Sequence, residues 1–245
     1  LPDKIASSEM YKITNLKIIG EINGTDFRMI REMAGRDYRG DVTEGNLSVL
    51  DLSEAKIVEG GDYYYSSFTD YKVYTSNDEI GEYAFHDCSG LTSLTLPAGI
   101  SEIGDFAFSD CSGLTSLTLP AGISEIGERA FQGCSGLTSL NLPVGITSIG
   151  ERAFWYCSGL ASVYVYAEKV PGIGSDAFKG CDAKKCILYV PKGTYDDYWL
   201  SDFGYFENIV EFDATGIDKT TTSTDAKEVS RYSVNGQRLV GPTKG

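Results

Sequence analysis

Apolar positions recur through the middle of the chain with a step far longer than any helix or strand period. Four segments superimpose without gaps: EIGEYAFHDCSGLTSLTLPAGIS (79–101), EIGDFAFSDCSGLTSLTLPAGIS (102–124), EIGERAFQGCSGLTSLNLPVGIT (125–147) and SIGERAFWYCSGLASVYVYAEKV (148–170). A fifth, GIGSDAFKGCDAKKCILYVPKG (172–193), follows with a one-residue slip. Cys88, Cys111, Cys134 and Cys157 fall 23 residues apart, with Cys181 next, and Phe85, Phe108, Phe131, Phe154 and Phe178 keep the same step. Within each window LTSLTLP alternates, which predicts a short strand with Leu91, Leu94 and Leu96 inward and Ser93 and Thr95 outward. Pro97 ends that strand because it lacks a donor. Gly99 is expected to permit the turn, and Ile100 and Ile103 to form a second apolar wall. GERAF reads as a brief helical or 3₁₀ turn with Ala130 and Phe131 facing in. One window cannot bury its own apolar edge, whereas a stack of windows makes a continuous core. The pattern predicts a β-rich α/β fold: a right-handed repeat solenoid of parallel short strands with short helical or 3₁₀ turns and a cap at each end.

The flanks divide the remainder. Residues 1–57 read as an N-terminal cap and first strands. They contain a strand at LKIIGEI (16–22), an amphipathic helix at TDFRMIREMAG (25–35) with Thr25 or Asp26 as cap and Gly35 as stop, and LSVLDLSEAKI (47–57). Residues 58–78 are an aromatic insertion carrying Tyr63, Tyr64, Tyr65, Phe68, Tyr71 and Tyr74; it is either a β-hairpin covering the rim of the first coils or a binding surface. Repeats occupy 79–193. In 194–213 Thr194 starts a short helix, and Tyr198, Trp199, Phe203, Phe206 and Ile209 cover the last coil. Residues 214–228 are a Thr-rich linker, and 229–245 hold Asn235-Gly236 as a hairpin signal before the returning strand is complete.

The motif C-S-G-L-T-S-L-x-L-P-x-G-I-x-x-I-G-x-x-A-F resembles the BspA-type, or Treponema-type, leucine-rich repeat, closely over 79–193. The opening LKIIGEINGTDFRMIREMAG resembles the N-terminal cap of such proteins from gut and oral anaerobic bacteria. YSVNGQRLVGPTKG resembles the start of the C-terminal region, in some cases a sorting signal, of proteins those bacteria secrete. The resemblance implies a secreted or cell-surface protein, some relatives of which bind host extracellular-matrix proteins or mediate adhesion and coaggregation.

Charge narrows the partners. With 35 acidic and 21 basic residues the net charge is −14, which argues against nucleic acid and anionic membrane surfaces; its simplest role is solubility. No apolar run approaches the roughly 18–20 residues of a membrane span. Residues 1–12 lack the apolar core of a signal peptide, so the chain reads as a mature or trimmed product.

Candidate chemistry is sparse. One cysteine per 23 residues lacks the close pairs of a zinc site, and equivalent cysteines in stacked coils point in parallel rather than at each other. A buried, reduced column is expected, with a Cys181–Cys186 bridge left open as an alternative. The single histidine, His86, aligns with Ser109, Gln132, Trp155 and Lys179 and is expected on a solvent-facing turn. Glu102 and Glu125, and likewise Asp105, Glu128 and Glu151, are expected as solvated columns with nothing to raise their pKa. No nucleophile, phosphate-loop or metal motif is present, so no cofactor, no metal and no catalysis are expected. The Asn23 and Asn46 glycosylation sequons are expected to carry nothing in a bacterial protein.

The outward strand positions carry the functional expectation. Thr95, Thr118, Asn141, Tyr164 and Tyr166 are assigned to a concave ligand-binding face, with Trp155, Tyr156, Tyr64 and Tyr71 on its rim. Threonine and serine also simply suit exposed strands, a reading that stands beside the functional one. The expected partner is a protein, host or microbial, in an adhesion-type interaction. A glycan stacked on tyrosine and tryptophan is the alternative, and a hydrolase using surface carboxylates a third.

Overall fold

The computed structural model describes residues 1–214 and the strands Glu228–Tyr232 and Arg238–Leu239. Successive coils stack in parallel and present three hydrogen-bonded walls. The first wall sets Asn15–Ile22, Val49–Ile57, Ser93–Thr95 and Ser116–Thr118 side by side. It continues through Ser139–Leu142, Ser162–Val165, Ile187–Pro191 and Asn208–Phe212, to which Glu228–Tyr232 and then Arg238–Leu239 add antiparallel. Register advances one repeat per strand, Leu94 opposite Leu117 and Leu140 opposite Val163. Among the described residues no ladder pair joins Ser116–Thr118 to Ser139–Leu142, so this wall is two sheets. The second wall is the short parallel set Glu79–Ile80, Glu102–Ile103, Glu125–Ile126, Ser148–Ile149 and Gly172–Ile173.

The third wall is made of turns. Phe85 N–H donates to Ala107 C=O, Phe108 to Ala130 and Phe131 to Ala153, each at 2.7 Å. The expected helical or 3₁₀ turn does not form. Ala130 N–H reaches Gly127 C=O at 3.4 Å and Gln132 N–H reaches Arg129 C=O at 3.1 Å, but Arg129 between them is left-handed at φ 52°. Tyr83, Phe106, Arg152 and Asp176 repeat that conformation, which breaks a helix and turns alternate amides toward the next coil.

Between the walls lies the spine anticipated from the repeat. The rings of Phe85, Phe108, Phe131, Phe154 and Phe178 stack at centroid separations of 5.4, 5.0, 5.2 and 5.1 Å, with planes within 9° of parallel. Burying each ring contributes about 1.5–3 kcal/mol. Cys88, Cys111, Cys134, Cys157, Cys181 and Cys186 are all buried free thiols, so Cys181 and Cys186 are not bridged. The thiols do more than fill an apolar slot. Sγ of Cys111, Cys134 and Cys157 donates to the carbonyl of Phe85, Phe108 and Phe131 in the preceding coil at 3.0, 3.1 and 3.0 Å.

At two repeat positions glycine is required for close approach rather than for turning. A Cβ on Gly136 would lie 2.6 Å from Ser112 C=O, and one on Gly150 would lie 2.5 Å from the Gly127 backbone. Gly99, expected to enable a turn, has an ordinary φ and no atom nearer than 3.9 Å to its would-be Cβ.

Each end of the turn wall needs a substitute for the missing coil. At the N-terminal end the helix Gly24–Met33 supplies it. Its cap is Asn23, not Thr25 or Asp26: the Asn23 side chain accepts from Thr25 N–H at 3.0 Å while Asp26 accepts from Asn23 N–H at 3.0 Å, a capping box. Gly35, just past the helix, is left-handed at φ 98°. Arg31, fully buried, donates to the carbonyls of Tyr83 at 2.7 Å and Ala84 at 3.1 Å, and Arg36 Nε donates to Asp87 C=O at 3.2 Å. At Ala84, the equivalent of Ala107, Arg31 stands in for the amide of an absent preceding coil, and at Glu82, the equivalent of Asp105, the Tyr64 hydroxyl does so at 2.8 Å. The 58–78 insertion forms the antiparallel pair Gly60–Ser66 and Lys72–Thr75 beside this helix.

At the far end, Phe178 meets Phe203 and Phe206 at 5.8 and 5.1 Å, and buried Tyr198 donates its hydroxyl to Ala167 C=O at 2.6 Å. Thr194 precedes the helix Tyr195–Trp199 without capping it by side chain. Glu211 instead accepts from the amides of Gly193 at 2.9 Å and Tyr195 at 3.2 Å. The expected linker, over residues 215–227, and the Asn235-Gly236 turn lie outside the described residues.

Candidate binding face

On the first wall, outward side chains fall into rows set by the ladder register. One row runs Thr95 opposite Thr118; after the break it resumes as Asn141, Tyr164 and Tyr189 and ends at the buried Val210. The five assigned residues therefore sit on two sheets, with Thr95 and Thr118 apart from Asn141, Tyr164 and Tyr166. Hydroxyls three positions earlier serve the fold: Thr92 Oγ1 donates to Ser48 C=O and Thr115 Oγ1 to Thr92 C=O, both at 3.0 Å.

The C-terminal sheet gathers aromatic residues. Tyr164 stacks on Tyr189 with centroids 4.2 Å apart and planes 3° from parallel, and Tyr166 meets Phe212 edge-on at 5.3 Å. Burial pushes the Tyr166 phenol above its ordinary value, and among the described residues its hydroxyl has no hydrogen-bond partner. The amide oxygen of Asn141, next to Tyr164 in the ladder, is likewise buried and unpaired. A buried acceptor without a donor costs about 1–3 kcal/mol. Tyr189 and Phe212 were absent from the sequence assignment. The signal for Tyr189 was there, since Leu188-Tyr189-Val190 repeats Val163-Tyr164-Val165 in the next strand.

The rim assignments divide. Tyr64 is not a rim residue: it is 1% exposed, packs on Phe27 at 5.5 Å and donates to Glu82 C=O at 2.8 Å. Tyr71 is exposed and donates to a Glu82 carboxylate oxygen at 2.5 Å. Trp155 and Tyr156 contact each other at 4.7 Å on the turn wall, whose ladder neighbours are Gly133 and Lys179, so they belong to a different column from Tyr164.

Two further expectations are corrected. His86 does lie on a turn but is half-buried rather than open to solvent: it packs against Tyr83 at 5.5 Å, and its burial lowers the imidazole below its ordinary pKa. Glu102 is not an unperturbed carboxylate. Its own burial, then Glu79 and Glu125 at the paired positions of the adjoining strands, raise its pKa. Among the described residues no group of three His, Cys, Asp or Glu side chains is placed to hold a metal ion, and no helix is long and apolar enough to cross a membrane.

Residues 56–185 match a family model described as the BspA type leucine-rich repeat region, in six copies. No curated protein matches the sequence. Among solved structures, the leucine-rich-repeat protein of T. pallidum is 31% identical over 51% of this chain and 55% of that one, with a TM-score of 0.43. A leucine-rich cell surface protein from Faecalibacterium prausnitzii is 22% identical over 75% and 51%, with a TM-score of 0.37. The pneumococcal vaccine antigen PcpA is 19% identical over 62% and 48%, with a TM-score of 0.39. The chain spans about half the length of these solved relatives.

Proposed function

Because the chain belongs to the BspA-type leucine-rich-repeat family, whose members are surface-type protein-interaction scaffolds, we propose that it is a secreted or surface-displayed module that binds a protein partner on the C-terminal half of its strand wall. The observation that carries this reading is the stacked Tyr164–Tyr189 pair on the outward row of the strand wall. Tyrosines held by stacking lose little side-chain entropy on binding and offer both apolar area and a hydroxyl, the composition of an interface anchor. Thr95 and Thr118 extend the same face toward the N-terminus, and Tyr166 lies just past the end of the strand that carries Tyr164.

The geometry favours a protein over a sugar. A carbohydrate platform needs an open ring face, whereas these rings face along the ladder toward neighbouring strands and present their edges outward. The reading is tested on immobilised extracellular-matrix proteins by surface plasmon resonance. Saturable binding is expected, weakened at least roughly tenfold by Tyr164→Ala with Tyr189→Ala in a variant that keeps its circular dichroism, a loss of about 1.4 kcal/mol or more. Undiminished binding by that variant removes the face, and glycan-array hits without protein binding transfer the function to carbohydrate.

A further inference from the structure

A second surface lies on the N-terminal cap, away from the strand wall. The Arg28 guanidinium lies 3.8 Å over the ring of Tyr38 and 5.3 Å from that of Tyr63. Arg39 approaches the Tyr38 ring at 5.3 Å and Lys72 the Tyr63 ring at 4.9 Å. The result is an alternating stripe, Arg39–Tyr38–Arg28–Tyr63–Lys72, built jointly by the cap helix, the loop after it and both strands of the hairpin. A guanidinium stacked flat on a ring keeps its N–H donors along its edge, available for a carboxylate.

Those donors are unused. Lys12, Lys17, Arg129, Arg152, Lys179 and Lys185 each lie against a carboxylate. Among the described residues Arg28, Arg39 and Lys72 form no ion pair although the chain carries a net charge of −14; Lys4, Arg31, Arg36, Lys56, Lys169, Lys184 and Lys192 form none either, and what sets these three apart is their gathering on two tyrosine rings. Glu32, one turn along the helix, feels the Arg28 charge without closing an ion pair with it, and Asp37 accepts the amides of Arg39 and Asp41, at 2.8 and 2.9 Å. Just beyond Lys72, the hairpin turn, closed by Ser67 N–H to Tyr71 C=O at 3.0 Å, carries a fully exposed Phe68.

We propose that this stripe is an interaction surface for an acidic stretch of polypeptide that also carries apolar side chains. Three unpaired cations in an acidic protein supply the charge complementarity, and their stacking on Tyr38 and Tyr63 fixes their positions before binding. Phe68 decides between polypeptide and polyanionic glycan, because only the former brings an apolar group to cover it. The surface is independent of Tyr164 and Tyr189.

The test uses the whole chain and three fluorescent probes: a synthetic peptide alternating glutamate and leucine, poly-L-glutamate, and dextran sulfate. The Glu–Leu peptide is expected to bind saturably, more weakly as ionic strength rises. Arg28→Gln, Arg39→Gln and Lys72→Gln together should weaken it roughly tenfold or more. Phe68→Ser should weaken the Glu–Leu peptide while leaving poly-L-glutamate unchanged, and Tyr164→Ala with Tyr189→Ala should bind like the parent. Should Arg28→Gln disturb the cap, Arg39→Gln with Lys72→Gln, both at exposed positions, gives the same readout. Equal binding by the charge-neutralised protein, loss of binding in the Tyr164 and Tyr189 variant, or binding of dextran sulfate alone overturns the proposal.

Discussion

Replacing Arg31 with methionine tests how the N-terminal end of the solenoid is closed. The side chain is fully buried, and among the described residues it has no carboxylate partner and its Nε finds no acceptor. A cation in that position costs several kcal/mol of desolvation, which methionine would relieve. Against this stand three charge-assisted hydrogen bonds, to Tyr83, Ala84 and Asp37 carbonyls at 2.7, 3.1 and 3.2 Å. Without Arg31, Tyr83 C=O keeps the His86 amide at 3.2 Å and Asp37 C=O keeps the Gly40 amide at 3.1 Å. Ala84 C=O keeps no hydrogen bond within the described residues. Hydrogen bonds to charged groups are worth about 1.5–3 kcal/mol each, and one orphaned carbonyl costs about 1–3 kcal/mol. The hydrogen-bond loss exceeds the desolvation relief, and Arg31→Met is expected to destabilise by about 2–3 kcal/mol. That lowers Tm on the order of 5–10 °C for a chain of this size. Urea titration followed by circular dichroism measures the loss, and hydrogen exchange should show the His86 amide losing protection first. A midpoint equal to or above the parent's would mean that dehydrating the cation outweighs its hydrogen bonds, and the account of Arg31 as the end-piece of the turn ladder would be wrong.

Other consequences follow from the same geometry. Gly136→Ala places a Cβ 2.6 Å from the Ser112 carbonyl and should cost about 1–3 kcal/mol, whereas Gly99→Ala, with no atom nearer than 3.9 Å, should be neutral or gain about 0.4–1 kcal/mol; equal thermal shifts would refute the assignment. Phe108→Leu and Phe131→Leu, whose rings lie 5.0 Å apart, should couple by about 0.5–1.5 kcal/mol in a double-mutant cycle, while Phe85→Leu and Phe154→Leu add within about 0.5 kcal/mol. All six thiols should resist a disulfide-exchange reagent at neutral pH and react once the chain is unfolded in denaturant. Burial raises Cys88 from 9.0 to about 11, and Cys181 and Cys186 to about 12. The folded state then holds protons that the unfolded state releases, so this contribution is intact below pH 9 and lost as pH rises through 11–12. A urea midpoint that climbs across that window would contradict the burial.

What the sequence determined is the spine. Phe85 through Phe178 and the cysteine column could be assigned because each coil repeats one inward pattern, and stacking brings equivalent positions together at the coil spacing, near 5 Å between rings. Wherever a side chain's neighbour was its own repeat equivalent, periodicity named the contact. Tertiary structure alone decided the contacts that break that rule. Arg31 meets Tyr83 across 52 positions, the insertion buries Tyr64 on Phe27, and Phe212 comes against Tyr166 from beyond the last repeat. The left-handed Arg129 was equally hidden, because its conformation is imposed by amides reaching for the next coil rather than by local preference. The physical reason is common to all of them. A repeat encodes translation along the stack, while the ends and insertions are placed only by the orphaned carbonyls and open apolar edges that the finished stack presents.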